Sequence, residues 1–330
     1  MRHIALTMSL ILGSAIGPSW AQDAPALTAL ERGEYGALDN YPGNPLYNAP
    51  IQVSEHVYSA IGATQPETFE NHGHNNNLTF IIGEQAIMVV NGGSNEDLAA
   101  ALHEHIKTIS DLPVKYVVSE NGQRHAMLGN AYWRRNGAES IAHVDAAEEV
   151  EHFAGDYIEA TRRQRQDENY PVNIEPFDRE IDGPIEIDLG NLVVQIKAYG
   201  PAHSPGDISV LVPADNLVIA GDLAFHVRMP PIFDETDTAG WVETWEVFSE
   251  EAGDMLILPG HGGPTDMATV TEGTYDYLMF LRGEVQALID EGGSLDEAYK
   301  IDQSPYRHWH TFEELAARNA GRVFTAMEFE

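Results

Sequence analysis

The chain has 330 residues, of which 43% are hydrophobic, so it can bury a large core and is too apolar for a largely disordered protein. Its 18 Lys and Arg against 52 Asp and Glu give a formal net charge of −34 at pH 7, which repels phosphates and excludes a nucleic-acid partner. It contains no cysteine, so any metal must be held by His, Asp, Glu or amide oxygens.

The N-terminal segment has the pattern of a signal peptide. A short basic start precedes an apolar run from Ile4 to Ile16, and Ser19-Trp20-Ala21 offers small residues at a cleavage site. This predicts a signal peptide over residues 1–21, and export without disulfides favours the periplasm. The run is too short for a membrane span, and no later segment reaches the roughly 18 apolar residues that a span requires. Residues 22–52 lack periodicity and predict an irregular arm.

From Val53 onward, the hydrophobic pattern predicts strands with helices between them. The predicted strands are 57–61, 78–82, 86–90, 114–118, 140–143, 185–189, 192–198, 208–212, 217–220 and 255–258. The predicted helices are 98–109, 131–133, 146–165 and 239–250, and residues 267 to about 326 are mostly helical. This order predicts a layered α/β domain over residues 53–330, with a helical extension from about residue 267.

Three short loops combine ligand-type side chains with preceding strands. They read Ala202-His203-Ser204-Pro205-Gly206-Asp207, Ala220-Gly221-Asp222 and Pro259-Gly260-His261-Gly262-Gly263-Pro264. Imidazole and carboxylate groups suit a borderline metal such as zinc, although each loop alone is more often an ordinary turn or a hydrogen-bonded histidine. Together and in this order, the loops resemble the later metal-binding motifs of metallo-β-lactamase-fold hydrolases.

The resemblance covers about Val53 to Met267 and implies a four-layer αββα sandwich. It implies that His203 is a ligand of the family's first metal position, that Asp222 bridges two metals and that His261 is a ligand of the second position. The chain from Asn75 onward is also similar to exported family members found near quinoprotein oxidation systems. The segments that carry this second similarity are Glu120-Asn121-Gly122-Gln123 and Asp237-Thr238-Ala239-Gly240-Trp241.

The first metal-binding motif of the family, HxHxDH, is absent. The loop after the strand over 114–118 reads Ser119-Glu120-Asn121-Gly122-Gln123-Arg124-His125-Ala126-Met127-Leu128-Gly129-Asn130. Aligning its last two residues with the family pattern HxHxDHxxGN puts Asn121 and Gln123 at the first two histidines, His125 at the aspartate and Ala126 at the last histidine. A shift by one residue instead puts Glu120 at the first histidine and His125 at the last, with Gly122 and Arg124 at the other two positions.

In either register, His125 is the strong ligand that remains in the inner part of this loop, since amide oxygens bind zinc weakly. Three imidazoles and one carboxylate suffice for one divalent ion, zinc or iron, with an open position for water. The expected metal ligands are His125, His203, Asp222 and His261. In the alternative interpretation, His125 only forms hydrogen bonds in a decayed site.

The remaining candidates lie around this site. The expected catalytic residues are Asp222, Glu120 as a base or further ligand, and His226 as a proton shuttle. Arg228 is expected to bind an anionic group of the substrate. His72 and His74 form an HxH pair that either hydrogen-bonds within its loop or reaches the cavity mouth.

The sequence thus predicts a periplasmic metal-dependent hydrolase with a mononuclear site and a small-molecule substrate. The bond to be cleaved is an ester, a lactone or an amide, because the ion activates water and polarises a carbonyl. The alternative from another class is a non-catalytic binding protein on a degenerate fold. The metal content of the purified protein separates the two.

Overall fold

A computed structural model of the chain describes residue 41 and residues 43–330. The predicted signal peptide, and the predicted arm up to residue 40 together with residue 42, lie outside the described residues. Within the described part of the chain, no helix has both the length and the apolar character needed to cross a bilayer.

Seven strands form the first sheet, and they lie side by side in sequence order. They are β1 (Ile51–Gln52), β2 (Val57–Ala60), β3 (Leu78–Ile82), β4 (Ile87–Val90), β5 (Val114–Val118), β6 (Glu139–His143) and β7 (Arg179–Ile181). The pairs from β1 to β4 are antiparallel, and those from β4 to β7 are parallel. The carboxyl ends of β4, β5 and β6 therefore meet at one edge of the sheet.

Five strands form the second sheet, in the order β12-β11-β10-β9-β8. They are β8 (Ile185–Asp188), β9 (Val193–Lys197), β10 (Ser209–Val212), β11 (Leu217–Gly221) and β12 (Leu256–Pro259). The pair β11 and β12 is parallel and the other pairs are antiparallel. The loops after β11 and β12 therefore leave the sheet on the same side.

Nine α-helices complete the described chain. They are α1 (Glu96–Ile106), α2 (Arg124–Met127), α3 (Asn130–Arg135), α4 (Val144–Arg165), α5 (Thr238–Ala252), α6 (Met267–Val270), α7 (Tyr277–Asp290), α8 (Leu295–Ala298) and α9 (Phe312–Met327). A π-helical turn over Thr271–Asp276 connects α6 and α7. Helix α1 begins where the Asn95 side chain accepts a hydrogen bond from the Leu98 amide.

The alternation of side chains along the strands explains how the layers pack. In β4, Met88 and Val90 belong to a core with residues of the second sheet, while Ile87 and Val89 pack with Leu98 of α1 on the opposite face. The outer face of the second sheet is covered by α5, α7 and α9. The predicted αββα sandwich is therefore confirmed.

Three elements were not predicted, and all are short. Strands β1 and β7 have two and three residues, and α2 has four residues inside the altered loop. Such segments are too short to show a hydrophobic period, and their form depends on neighbouring strands and loops. The region after residue 267 is mostly helical, as expected.

Candidate metal centre

Four loops at strand ends deliver the predicted site residues to one place. Glu120 and His125 follow β5, His203 lies between β9 and β10, Asp222 directly follows β11 and His261 follows β12. Because these loops emerge on the same side of the two sheets, their side chains meet although they are far apart in sequence. All five residues are buried.

Three of these side chains form a compact group. Ligand atoms of His125, Asp222 and His261 all lie within 4.8 Å of one another. His125 Nε2 is 3.3 Å from Asp222 Oδ2, and His261 Nε2 is 3.3 Å from Asp222 Oδ1. The expected proximity of these three residues is thus observed, and their role as metal ligands stays a prediction.

Several polar atoms in this group are buried without a hydrogen-bond partner. They are His125 Nε2, Asp222 Oδ1 and both carboxylate oxygens of Glu120. An unsatisfied buried polar atom costs about 1–3 kcal/mol, so four of them in one place need an explanation. Their donor types, imidazole nitrogen and carboxylate oxygen, fit a divalent cation.

The electrostatics of the group are dominated by Asp222. Although burial favours its neutral form, the pKa of Asp222 is held well below its usual range by His261 and His125. Burial would lower the pKa of His125, but the Asp222 and Glu120 carboxylates raise it to about 10. Burial lowers the pKa of His261 to about 4, so this imidazole is neutral at pH 7 and has a free lone pair.

The orientation of His261 is fixed by a loop that the sequence reasoning did not assign. His261 Nδ1 donates to the Asn75 carbonyl over 2.5 Å, which leaves Nε2 free to face Asp222. Asn77 donates to the carbonyls of Pro259 and Gly262, each over 2.7 Å, and holds the His261 loop.

Asn91 links this loop to Glu120, because its side chain donates to the Asn77 carbonyl and accepts from the Glu120 amide. The polar run from Asn75 to Asn77 was the available signal.

Two glycines make room for the carboxylates. A Cβ at Gly260 would lie 2.2 Å from Asp222 Oδ1, and a Cβ at Gly221 would lie 2.4 Å from Glu120 Oε2. Gly221 also has a φ of +64°, which favours glycine. These contacts explain why glycine precedes both Asp222 and His261.

His203 lies at the edge of the group and has other partners. Its Nε2 is 3.7 Å from Asp222 Oδ2 but forms a 3.0 Å hydrogen bond with Gln123 Nε2. The ring packs against Phe225, Phe233 and Trp241, with centroid separations of 5.2–5.7 Å. Burial lowers the pKa of His203 to about 4. The predicted fourth ligand therefore already has a polar partner.

The amide side chains of the altered loop face this same half of the site. Asn121 Nδ2 lies 3.3 Å from Asp207 Oδ1 and 3.5 Å from Asp222 Oδ2. Gln123 reaches His203 as described above. Asn121 and Gln123 therefore place N–H donors beside Asp222 and His203, to which the family resemblance assigns ligand roles.

The remaining candidates have diverse surroundings. His226 Nε2 hydrogen-bonds to the Gly263 carbonyl over 2.9 Å, and its shuttle role stays a prediction. Arg228 is buried, its Nε lacks a partner and its Nη1 is 3.2 Å from His261 Nδ1. Between them, Val227 has a φ of +67°, which is strained for a β-branched residue.

The HxH pair does not converge on one point. His72 Nδ1 contacts Arg165 over 3.2 Å, whereas His74 Nδ1 accepts a hydrogen bond from the Tyr47 amide over 2.7 Å. His74 is fully buried, and His72 lies in a turn with positive φ. The two rings therefore have structural partners within and beside their loop.

The fold and part of the sequence are similar to those of known proteins. Solved structures with the same fold include a metallo-beta-lactamase from Pontibacter korlensis, with a TM-score of 0.57 and 14% identity over 70% of this chain and 98% of that one. TMB-1 has a TM-score of 0.54 and 12% identity, and covers 68% of this chain and 94% of its own. VMB-1 has a TM-score of 0.54 and 15% identity, and covers 68% of this chain and 93% of its own.

A curated relative is the "Probable metallo-hydrolase YqgX" of Bacillus subtilis (strain 168), which is 29% identical over 100 residues. This stretch is 30% of the present chain, and the chain spans about half the length of that relative, 47%. Residues 125–272 match the model described as "Metallo-beta-lactamase superfamily". The match begins at His125 and so leaves out Glu120 to Arg124, where the first motif is altered. The chain therefore has the fold of these solved structures, and residues 125–272 are similar to the metallo-β-lactamase superfamily.

Proposed function

We propose that the protein is a metal-dependent hydrolase with one divalent ion, held by His125, Asp222 and His261. The observation that carries this proposal is the buried group of these three side chains, whose ligand atoms lie within 4.8 Å of one another. Unsatisfied His125 Nε2 and Asp222 Oδ1 support it, because a cation would satisfy both. The superfamily match and the metallo-hydrolase relative support the same chemistry.

Zinc and iron are the ions that we propose for this site. Two imidazoles and a carboxylate form the ligand set of many zinc enzymes and of mononuclear iron sites. A bound divalent ion supplies Lewis acidity, which lowers the pKa of water and polarises a scissile carbonyl. The bond that we propose for cleavage is an ester, a lactone or an amide of a small molecule.

The protein side chains have separate tasks in this proposal. His261 is oriented by the Asn75 carbonyl, so that its Nε2 lone pair faces Asp222. Arg228 binds an anionic group of the substrate, because its buried guanidinium has no carboxylate within 4.0 Å among the described residues. His226 lies against the Gly262-Gly263 loop and moves protons at the edge of the site.

The location is part of the same proposal. The pattern of residues 1–21 supports export through a cleaved signal peptide and activity in the periplasm. Cell fractionation and N-terminal sequencing of the mature protein test this directly. Recovery of a protein that still begins at Met1 from the cytoplasm would contradict it.

The first experiment measures metal in the purified protein after growth with zinc and iron. We expect about one equivalent in the wild type and less than about a tenth of an equivalent in His125→Ala, because a ligand is lost. His308→Ala is the matched control, since His308 is exposed and its contacts are with Pro305 and Trp309, outside the group of proposed ligands.

The second experiment asks for turnover on a panel of esters, lactones and amides, with and without chelator. We expect hydrolysis that the chelator abolishes and that zinc or iron restores. A wild-type protein with less than about a tenth of an equivalent of metal would overturn the hydrolase proposal and favour a non-catalytic binding protein.

A further inference from the structure

We propose that Glu120 is the fourth protein ligand of the ion and that the resulting set of two imidazoles and two carboxylates accepts manganese(II) or iron(II) as well as zinc. This inference rests on the proposed function, because it concerns the same ion. It replaces the fourth ligand expected from the sequence, His203, and it makes Glu120 a ligand and not a base.

The first observation is the burial of an unpartnered carboxylate. The Glu120 side chain is only 2% exposed, and neither of its oxygens has a hydrogen-bond partner. Its Oε1 lies 3.4 Å from His125 Nε2, on the side where His125 meets Asp222. A buried carboxylate without a hydrogen bond is costly unless a cation lies beside it. His125, at 3.4 Å, supplies that charge when it is protonated, and a bound metal ion would supply it when His125 is neutral.

The second observation is that the surroundings hold Glu120 in this place. Its amide donates to Asn91 Oδ1 over 3.2 Å, and its carbonyl accepts from the Ile208 amide over 2.8 Å. The carboxylate occupies space that a side chain at Gly221 would fill, at 2.4 Å from the added Cβ. The backbone therefore directs the side chain into the site.

The third observation concerns the competing ligand. Gln123 Nε2 donates a 3.0 Å hydrogen bond to His203 Nε2, so the lone pair of this ring nitrogen is already engaged. Like Glu120, His203 is outside the group of ligand atoms within 4.8 Å, but its ring packs against the aromatic side chains of Phe225 and Phe233. To bind the nitrogen of His203 that lies 3.7 Å from Asp222 Oδ2, which is Nε2, the ion would have to break this hydrogen bond, whereas Glu120 has no hydrogen bond to lose.

Charge balance and donor type point to the same ion classes. Two ionised carboxylates with two neutral imidazoles carry a charge of −2, which one divalent cation neutralises. Carboxylates suit manganese, and two histidines with a carboxylate suit iron(II), whereas an imidazole in place of Glu120 would favour zinc. Glu120 therefore reduces the preference for zinc over manganese and iron(II) without abolishing zinc binding.

The test is competitive titration of the metal-free protein with zinc(II) and manganese(II) against a chelator of known affinity. We expect Glu120→Gln to weaken manganese binding by about 100-fold and zinc binding by about 10-fold. Glu120→His, which supplies an imidazole, is expected to recover zinc affinity but not manganese affinity. The manganese EPR spectrum reports the same loss without any assay of activity.

Two variants serve as controls. His203→Gln should change both affinities by less than about threefold, which second-order effects on a ligand site allow. Asp207→Asn removes another buried carboxylate, one that accepts from the Ser204 amide over 2.6 Å and from Ser204 Oγ over 3.1 Å, and should also have a small effect. Circular dichroism and thermal unfolding identify any variant that does not fold. If Glu120→Gln does not fold, the manganese affinity of Glu120→His takes its place in the test.

The outcomes separate the two proposals. A wild type without metal affinity overturns the proposed function and this inference together. A wild type that binds metal as tightly as Glu120→Gln overturns only the inference. The inference also fails if His203→Gln loses as much affinity as Glu120→Gln, because His203 is then the ligand. It fails too if Asp207→Asn does, because the loss of affinity is then not specific to Glu120.

Discussion

The two halves of the site differ in whether the ligand-type atoms nearest Asp222 have hydrogen-bond partners in the protein. On one side, Gln123 hydrogen-bonds to His203, and Asn121 lies near Asp222 and Asp207. On the other side, His125 Nε2, Asp222 Oδ1 and the Glu120 oxygens have no hydrogen-bond partner. One half is therefore closed by amide N–H donors, while the other has the polar atoms that a cation would satisfy.

In the closed half, the amide side chains of the altered first motif lie where the family places metal ligands. An amide N–H group beside an imidazole or carboxylate can replace the attraction of a metal ion, although without its charge. Asn121 and Gln123 thus donate to Asp207 and to His203, the residue that the family resemblance assigns to the first metal position. The difference between the halves supports a mononuclear site and argues against random decay, in which both halves would lose their ligands.

The largest effect is expected from a substitution that returns a histidine to the closed half of the site. Gly122 stands where one register places the second histidine, and a Cβ there would lie 2.6 Å from the Ala146 carbonyl and 2.9 Å from Glu149 Oε2. Because helix α4 fills this space, we expect Gly122→His to lower the free energy of unfolding by about 3 kcal/mol. Urea denaturation measures this change.

The same variant should not bind a second ion. Gly155→His is the control, because Gly155 lies exposed on α4 and an added Cβ meets nothing within 4 Å. If Gly122→His instead binds two equivalents of zinc without loss of stability, the first half of the site is not closed.

The second prediction concerns the open half of the site and the dependence of its metal affinity on pH. His125 has a pKa raised to about 10 in the metal-free protein, so at pH 7 its imidazole is protonated and must lose its proton to bind metal. The pKa of His261 is lowered to about 4, so His261 contributes no proton in this range. We expect metal affinity to rise about tenfold per pH unit from pH 6 to 8, or about 1.4 kcal/mol per unit.

Calorimetric titration in buffers of different ionisation enthalpy measures the released proton. His308→Ala should show the same slope as the wild type, since His308 lies outside the site. An affinity that is flat from pH 6 to 8 would show that the ion does not displace the His125 proton.

Most of the fold could be predicted from the sequence, because buried apolar runs and helix caps are local signals. The predicted strands over 78–82 and 114–118 have the same limits in the structure. Strands β1 and β7 were missed because two or three residues carry no period, and their pairing depends on β2 and β6.

The site was predictable in part. The proximity of His125, Asp222 and His261 followed from three loops that each come after a strand. The hydrogen bond between Gln123 and His203 joins residues 80 positions apart, and the Glu120 carboxylate occupies space that only a glycine at position 221 leaves open. Such contacts depend on tertiary packing and have no local sequence pattern.

The smallest effect is expected at Glu149, a carboxyl group on the closed side, and it is compared with the effect of the same substitution at Glu120. Burial raises the pKa of Glu149 to about 7, and its Oε1 accepts a 3.2 Å hydrogen bond from Tyr157. Because the folded-state pKa lies above the unfolded value, stability is full below about pH 4.5 and falls as the pH rises toward 7. We expect the free energy of unfolding of Glu149→Gln to exceed that of the wild type by about 1 kcal/mol at pH 8, with little difference at pH 4.5.

Urea denaturation of the metal-free protein at the two pH values measures this difference, with Glu148→Gln as the control on an exposed neighbouring residue. Metal should leave the gain of Glu149→Gln unchanged, because Glu149 is no part of the proposed ligand set. By contrast, Glu120→Gln should stabilise only the metal-free protein, since the carboxylate there binds the ion. If metal changes the free energy of unfolding of the two variants by the same amount, the distinction between the closed and the open half is wrong.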